Sequence, residues 1–339
     1  MADTEHIQLA HGGGGQMMAE LIRQVILPAL GGQDAGRLLD AATLDGDGRR
    51  VVFTTDSYVV KPLEFPGGDI GRLAVCGTIN DLAVCGAEPA ALSLGLVMSE
   101  GLEVALLKRV LASAGEAARD AGVPVVTGDT KVMERGSLDG LVINTTGLGR
   151  LKAEADLGFD RIEAGDRILL SGPLGEHGLA VMSMREHLSF STELKSDCAA
   201  LHRPAGDLVD SLGGRLKFMR DPTRGGLAAT LVEIAQSCGR NIEIQESAIP
   251  VNRTALAAAE MLGLDLLTVA NEGKLVAVVA AAAAEEARAI LARHEVARRA
   301  SVIGTVGEAD RMPLVEMVTG IGGRRIVQMP YGEELPRIC

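Results

Sequence analysis

Four aspartates in the sequence have settings that suit metal and nucleotide chemistry. Three end predicted strands and one interrupts an apolar helical pattern: they are Asp56, Asp129, Asp221 and Asp81. Two carboxylates about 4 Å apart repel each other by roughly 4 kcal/mol at an effective dielectric constant of about 20. If these acids converge they need a cation, and Mg²⁺, a hard ion that takes oxygen ligands, fits best.

A magnesium site of this kind predicts a nucleotide, because Mg²⁺ is commonly held by one or two protein carboxylates together with the phosphates of ATP. Phosphates also need N–H donors, and the HGGGG segment could supply them, since consecutive glycines can curl around an anion. The glycines concerned are Gly12, Gly13, Gly14 and Gly15. A flexible linker is the alternative interpretation. Neither GxxxxGK[ST] nor a strand-following GxGxxG occurs, so a P-loop is excluded and a dinucleotide fold is not supported.

Each aspartate also has a purely structural interpretation, as a helix cap or a turn residue. In DPTRGG, Asp221 could cap a helix with Pro222 in its first turn. Asp81 is harder to explain in this way, because a carboxylate inside a helix beside Ile79 and Leu82 is costly to desolvate unless it is paired. We therefore expect a cation to meet Asp81.

Four further side chains could act on a substrate. Lys131 follows a Gly-Asp-Thr sequence and could contact phosphates or carboxylates, or be a solvated loop lysine. Glu272 stands between a predicted helix and a predicted strand, where a carboxylate could act as a base. His177 precedes a predicted helix, a position typical of a capping or packing residue. Cys339 ends the sequence, and a thiol there is either incidental or functional.

Length and composition limit the class of protein. A chain of 339 residues exceeds what one hydrophobic core usually organises, which predicts two domains. Its 47% hydrophobic content is typical of a globular α/β or α+β protein, while a net charge of -12, 2% aromatic residues and no Trp argue against nucleic-acid binding. Five cysteines without a CxxC pair indicate neither a disulfide framework nor a zinc site. With no secretory or membrane-spanning pattern, we expect a cytoplasmic protein.

Apolar periodicity places these residues on two units. The first half predicts, in chain order, a hairpin over 41–60, a helix capped by Asp69, a strand at 91–98, a helix at 102–121, and strands at 123–132 and 138–150. A polar stretch at 151–165 separates the units. The second half predicts helices near 177–188, 199–212, 225–238 and 281–293, with strands at 216–220, 241–245, 274–280 and 300–306 in an antiparallel sheet. We therefore expect domains at 1–150 and 151–312, followed by a mobile tail at 313–339 that carries Cys339.

Six segments, in order along almost the whole chain, resemble the HypE family of hydrogenase maturation factors. They are TTDSYVVKPLEFPGGDIGRLAVCGTINDLAVCGAEP, GDTKV, SGPLGEHGLAVM, RDPTRGGLA, NEGKL and the terminal PRIC. The wider superfamily of aminoimidazole ribonucleotide synthetase, selenophosphate synthetase and thiamine-phosphate kinase shares the acidic motifs but lacks that ending. The resemblance implies a two-domain α/β plus α+β fold with ATP between the domains. It also implies a homodimer formed through the amino-terminal sheet.

The resemblance further implies a reaction and its partners. A carbamoyltransferase, HypF, would load a carbamoyl group onto the terminal cysteine, and an ATP-dependent carbamoyl dehydratase activity would convert that thiocarbamate to a thiocyanate. Cyanide would then pass to the iron of [NiFe]-hydrogenase on a complex of HypC and HypD. No membrane or nucleic-acid partner is implied.

Carried onto matching positions, the resemblance also implies roles for individual residues. Cys339 would be the carrier thiol, and Lys131 and Glu272 would help to activate the carboxamide. The magnesium or ATP ligands would be Asp56, Asp81, Asp129 and Asp221, with Asn80 and the four glycines also contacting the nucleotide.

Two alternatives remain open from the sequence. One is an enzyme of the same superfamily, a phosphotransferase or a synthetase, that acts on a free small molecule. The other is a nucleotide-sensing scaffold whose tail only docks on a partner.

Overall fold

The computed structural model describes residues 6–30, 39–46, 49–186, 194–332 and 338. The α-helices of these ranges are α1 Gln16–Leu21, α2 Leu27–Leu30, α3 Ile70–Val84, α4 Val104–Ala121, α5 Glu176–Arg185, α6 His202–Leu212, α7 Gly226–Cys238, α8 Arg253–Leu262 and α9 Ala284–Leu291. The strands are β1 Ala42–Gly46, β2 Arg49–Tyr58, β3 Glu64–Phe65, β4 Gly68–Asp69, β5 Ala87–Ser99, β6 Val125–Met133, β7 Leu141–Leu151, β8 Arg167–Leu170, β9 Leu216–Arg220, β10 Arg240–Gln245, β11 Val276–Val279, β12 Ser301–Ala309, β13 Val315–Val318 and β14 Arg324–Val327.

The amino-terminal sheet has the order β1-β2-β7-β5-β6, and only the β5–β6 pair is parallel. Alternation along β7 shows which face is covered, because Ile143 and Thr145 are fully buried whereas Asn144 is half-buried. Helix α3 packs on the buried face, and α4 packs on α3. The opposite face has no layer of its own among the described elements.

The carboxy-terminal sheet has the order β14-β13-β10-β12-β8-β11-β9. Its pairs are antiparallel except β10–β13, so the expected sheet is mostly and not wholly antiparallel. Helix α7 and the apolar faces of β8 and β11 enclose the largest core of this domain. This architecture confirms the expected α/β plus α+β fold.

The predicted tail over 313–339 began too early. Strands β13 and β14 belong to the carboxy-terminal sheet, and Val315 and Met317 are buried against Ile242 and Ile244 of that core. In this region the sequence shows only a short strand-like segment, RRIVQMP, which contains β14, and no pattern over β13. In the described part of the chain, the segment outside both sheets begins after Val327.

Helix α3 joins the two domains. Its carboxy-terminal residues Ala83 and Val84 are buried in a core with Leu201 and Leu208 of the second domain. Its start is fixed as expected by Asp69, whose Oδ1 accepts hydrogen bonds from the backbone N–H groups of Gly71 at 2.7 Å and Arg72 at 3.0 Å. No helix in the described ranges is long and apolar enough to cross a membrane.

We predict that Asp69→Ala lowers the free energy of unfolding by about 1 kcal/mol, because two N–H groups of α3 lose their acceptor. Urea denaturation monitored by circular dichroism measures the change. Asp69→Asn is the matched control and should stay within a few tenths of a kcal/mol of the parent protein, since Asn caps helices about as well as Asp. Equal stability of Asp69→Ala and the parent would contradict the capping role.

Candidate active site

A cavity of about 550 Å³ lies between the two domains. Its walls include β2 and α3 from the first domain and the segment after β9 and helix α7 from the second. Three of the four predicted acids line it, together with one that the sequence analysis did not select: they are Asp56, Asp81, Asp221 and Asp40. The fold therefore gathers acids from both domains at one place.

Strand β2 and helix α3 place two of these acids side by side. Thr54 and Asp56 are two residues apart on β2 and share the face that α3 covers. The Thr54 hydroxyl donates to Oδ2 of Asp81 on α3 at 2.8 Å. No lysine or arginine of the described ranges forms an ion pair with Asp81, so the cation expected there does not come from these side chains.

The acids of the cavity suppress one another's ionisation. Loss of water, followed by the charges of Asp221, Asp40 and Asp56, raises the pKa of Asp81 well above its usual value. Loss of water and the charge of Asp40 raise the pKa of Asp221 to about 8. At neutral pH the cavity therefore holds carboxyl groups that would ionise readily if a cation entered.

Two arginines stand among these acids. Arg220 Nε lies 3.1 Å from Asp40 Oδ1, and its Nη1 lies 2.9 Å from Glu233 Oε2. Arg224 Nη2 lies 4.0 Å from Asp56 Oδ1, and its Nη1 donates to the carbonyl of Gly12 at 3.0 Å. Arg220 is thus held by two acids, whereas Arg224 connects the acidic wall to the glycine segment.

The acids fit magnesium of the kind that a nucleotide completes. Within the described ranges, no three His, Cys, Asp or Glu side chains come close enough to form a metal site from protein alone. A phosphate-bound Mg²⁺ needs only one or two carboxylates, and Asp56, Asp81 and Asp221 offer oxygen ligands, of which Asp81 has no lysine or arginine partner in the described ranges. These residues therefore suit a cation that arrives with further oxygen ligands.

The glycine segment is divided by the structure. Gly14 and Gly15 line the cavity, whereas Gly12 and Gly13 end a 3₁₀ turn outside that lining. Gly14 has a positive φ of 74°, and a Cβ on Gly15 would stand 2.4 Å from the carbonyl oxygen of Pro330. These two positions require glycine for backbone conformation and close packing.

Asp129 and Lys131 lie away from the cavity in this chain. They pair with each other on β6 at 2.7 Å, with side chains 69% and 64% exposed. Their register partners Gly95 and Val97 align with Asn144 and Val142, which lie on the sheet face opposite α3. About three strand spacings, roughly 14 Å, separate β6 from β2.

Glu272 lies in the interior with one oxygen unsatisfied. Glu272 is 3% exposed, and its Oε1 has no hydrogen-bond partner in the part of the chain that the structure describes. Burial, and then the charges of Asp221, Asp197 and Asp56, raise the pKa of Glu272 well above its usual value. A carboxyl group in this state can exchange a proton with a substrate that reaches it.

Asn80 supports this region from α3. Its Nδ2 donates to the carbonyls of Ala199 at 3.1 Å and Glu272 at 3.2 Å, and its Oδ1 accepts from Leu201 N at 2.8 Å. The side chain is fully occupied by these backbone groups and does not line the cavity. It therefore connects α3 to the backbone of Glu272.

Asp221 is not the helix cap that DPTRGG suggested. Helix α7 begins at Gly226 with Gly225 as its N-cap, so Asp221 lies four residues before that cap. A turn containing Thr223, whose carbonyl accepts from Gly226 N at 2.9 Å, fills the interval. The carboxylate is free to face the cavity.

Cys339 lies outside the described residues, but its neighbour Ile338 is described. Ile338 is 3% exposed, and its carbonyl oxygen lies 2.8 Å from Nε2 of His177. His177 itself is fully buried on α5. A histidine that the sequence suggested was only a capping or packing residue therefore contacts the carboxy-terminal segment.

Sequence reasoning missed Asp40, Arg220, Asp197 and the contact made by His177. Asp40 precedes a short strand, and no motif distinguishes it from a turn acid. Arg220 had a usable signal, because it directly precedes Asp221 at the end of a strand. The role of Asp197 depends on contacts of the irregular segment 194–201 with residues 272–274, which no local pattern predicts.

In the absence of divalent cations and nucleotide, we predict that Asp221→Asn weakens the pH dependence of stability. The pKa of Asp221 rises from 3.8 in the unfolded chain to about 8 in the folded one. The stability that its proton contributes is complete below about pH 4 and is lost as the pH rises towards 8. The urea midpoint should therefore fall less between about pH 6 and about pH 8 in the variant than in the parent.

Asp129→Asn is the control for this prediction. Lys131 lowers the pKa of Asp129, so Asp129 is ionised throughout this range in both the folded and unfolded chains. The control should keep the parent's pH dependence. An Asp221→Asn profile as steep as that of Asp129→Asn would show that Asp221 does not hold a proton at neutral pH.

The chain matches two families, described as the N-terminal domain of AIR synthase related protein, over residues 32–151, and its C-terminal domain, over residues 163–315. Carbamoyl dehydratase HypE of Bradyrhizobium diazoefficiens is 49% identical over 98% of this chain and 96% of that relative. A solved HypE–HypF complex contains a chain 44% identical, with a TM-score of 0.86 over 91% of this chain and 99% of that one. HypE solved in complex with ATP is 43% identical, with a TM-score of 0.82 over 98% of this chain and 100% of that one. The chain belongs to the HypE family of carbamoyl dehydratases.

Proposed function

We propose that this protein uses ATP to dehydrate an S-carbamoyl group on Cys339 to a thiocyanate, the source of a cyanide ligand for [NiFe]-hydrogenase iron. The observation that carries the proposal is the buried Glu272 carboxyl, whose Oε1 has no hydrogen-bond partner among the described residues. Asp197 accepts a hydrogen bond from Glu272 N. Its neighbour Ser196 bonds to His177, which contacts the carbonyl of Ile338. HypF would supply the carbamoyl group, and HypC with HypD would receive the cyanide. Related chains solved with HypF and with ATP support the first partner and the nucleotide.

The reaction balances with ATP as the acceptor of water. The amide oxygen of R–S–C(=O)NH₂ becomes an oxygen of inorganic phosphate after phosphoryl transfer, two N–H protons are lost, and R–S–C≡N remains with ADP and phosphate. An amide oxygen is a poor leaving group, and phosphorylation makes it a good one. The protein must bind the nucleotide, remove the protons and exclude bulk water.

Residues that line the cavity could bind the nucleotide and its cation. Asp56, Asp81 and Asp221 would hold the Mg²⁺ that is bound with ATP, and the ion would offset their negative charge and that of the phosphates. Gly14, Gly15 and Arg224 lie on the same cavity wall, where backbone N–H groups and a guanidinium can meet anions.

Glu272 is our candidate for the base. Its raised pKa means that it holds a proton in the isolated chain, chiefly through burial and also through the nearby aspartates. Neutralising Asp221 and Asp56 with a cation removes part of that cause, so the pKa of Glu272 falls when the nucleotide site fills. Glu272 would thus give up its proton more readily when the nucleotide is present.

The exposed sheet face supports a homodimer. Strand β6 is exposed at all nine positions, including Val126 at 64% and Val132 at 65%, and long exposed edge strands are normally covered by another chain. A second copy packed on this face would cover β6. It would also allow Lys131 of one protomer to reach the cavity of its partner, which it does not line in its own chain.

Mixed dimers test this arrangement. We predict that Lys131→Ala and Glu272→Gln proteins, each inactive alone, regain activity when their subunits are exchanged, because one site of each mixed dimer then has both residues. Thiocyanate formation on the Cys339 peptide is the measurement. No recovery once native mass spectrometry shows mixed dimers would place both residues in one protomer's site, and a spectrum that contains only monomers would exclude the dimer.

Glu272→Gln should reduce thiocyanate formation by about 10²-fold or more while leaving ATP binding intact, since a general base is lost without a change in side-chain size. Mass analysis of the terminal peptide after incubation with HypF, carbamoyl phosphate and ATP reports the carbamoyl and thiocyanate forms. Glu308→Gln, an exposed glutamate on β12, is the matched control and should behave as the parent. Unchanged turnover in Glu272→Gln would show that Glu272 is not the base.

The same assay distinguishes the proposed reaction on Cys339 from a reaction on a free small-molecule substrate. With an ¹⁸O-labelled carbamoyl oxygen, we predict that the label appears in phosphate, and that Cys339→Ser abolishes this transfer. Phosphate release that persists in Cys339→Ser at the parent rate would favour a phosphotransferase or synthetase. ATP binding with no change in the tail would favour a sensing scaffold.

A further inference from the structure

We propose that His177 is the positioning residue that anchors the carboxy-terminal segment. It binds the carbonyl of Ile338, the residue that precedes Cys339. This inference rests on the proposed function for its purpose, but the anchoring itself can be tested without HypF, ATP or turnover.

The hydrogen bonds determine the state of the imidazole. A carbonyl oxygen can only accept, so Nε2 of His177 must carry a proton and donate it to Ile338 O at 2.8 Å. Nδ1 lies 2.8 Å from the hydroxyl of Ser196, and that hydroxyl also accepts from Cys198 N at 3.0 Å. Burial lowers the pKa of His177, which favours the neutral ring. Ser196 therefore donates to Nδ1 and holds the tautomer that binds the tail.

The anchor is rigid on its other sides. Phe65 meets the His177 ring edge-to-face, with centroids 5.3 Å apart. Ser196 N donates to Pro66 O at 2.7 Å, and Gly67 approaches so closely that a Cβ there would stand 2.8 Å from the Ser196 backbone. Residues from both domains thus fix the orientation of the ring. A surface histidine in a chance contact would lack this support.

The hydrogen bond to the Ile338 carbonyl constrains the peptide group that leads to the next residue. The carbonyl of Ile338 belongs to the peptide group that continues to Cys339, and that group is planar. Holding the oxygen at one point and burying the Ile338 side chain therefore restricts the directions in which the chain can continue.

The same short segment that orients His177 also orients the base. Asp197, the neighbour of Ser196, accepts from Glu272 N and Gly273 N, both at 3.2 Å, and from Lys274 Nζ at 2.9 Å. A Cβ on Gly273 would stand 1.9 Å from the Asp197 carbonyl oxygen, so the two segments are in direct backbone contact. The tail anchor and the base are therefore held by adjacent residues.

Alkylation of Cys339 by iodoacetamide, followed by peptide mass spectrometry, tests the anchor. His177→Leu removes the donor and should increase the Cys339 labelling rate about three- to tenfold, because one buried hydrogen bond is lost. His177→Gln places an N–H donor near the position of Nε2 and should restore a rate close to that of the parent. Cys76 and Cys198, both buried, serve as internal reporters and should stay slow if the fold is intact.

Equal labelling of Cys339 in His177→Leu and the parent would overturn the proposal, and so would equal rates in His177→Leu and His177→Gln. If His177→Leu labels Cys76 and Cys198 rapidly, and so has not folded, Ser196→Ala decides instead. That variant removes the hydroxyl that fixes the tautomer and should also raise Cys339 labelling by about threefold. No increase in Ser196→Ala would reject the anchor, whatever the outcome of the thiocyanate assay.

Discussion

Repulsion among buried carboxylates is the constraint on which this structure depends. Asp81, Asp221 and Glu272 are held by different elements, yet each raises its neighbours' pKa or has its own raised by them. Such a cluster is unfavourable in the isolated chain unless protons are retained. A ligand that brings positive charge to the cavity therefore binds the folded state preferentially and stabilises it.

The cost of holding that cluster is offset by packing around α3. Ala83 and Val84 are buried in the core of the second domain, while Asn80 satisfies three backbone groups there. Asp81 follows Asn80 on the same helix and therefore cannot withdraw from the cavity without breaking these contacts. The acid stays in an unfavourable place because the neighbouring turn of helix is firmly bound.

The sequence predicted the parts of the fold that have long periodicity. Helices α3 and α4 and the strands of both domains follow from apolar spacing, and three of the four selected aspartates do line one cavity. The sequence could not place Asp129 and Lys131, because a one-residue change of strand parity moves a side chain to the other face of the sheet. Strand β13 was missed because tertiary contacts, and not local pattern, define it, whereas β14 lies within the strand-like segment RRIVQMP.

The position of His177 was beyond sequence reasoning for a further physical reason. Its partners Phe65, Ser196 and Ile338 come from three distant parts of the chain, and none shows a local pattern that requires it. Their convergence nevertheless places two supports in one short segment. Because Ser196 and Asp197 are consecutive, any displacement of this segment moves the tail and Glu272 together. Under the function we propose, this shared support would keep the group carried on Cys339 at a constant distance from Glu272, which two independent supports could not ensure.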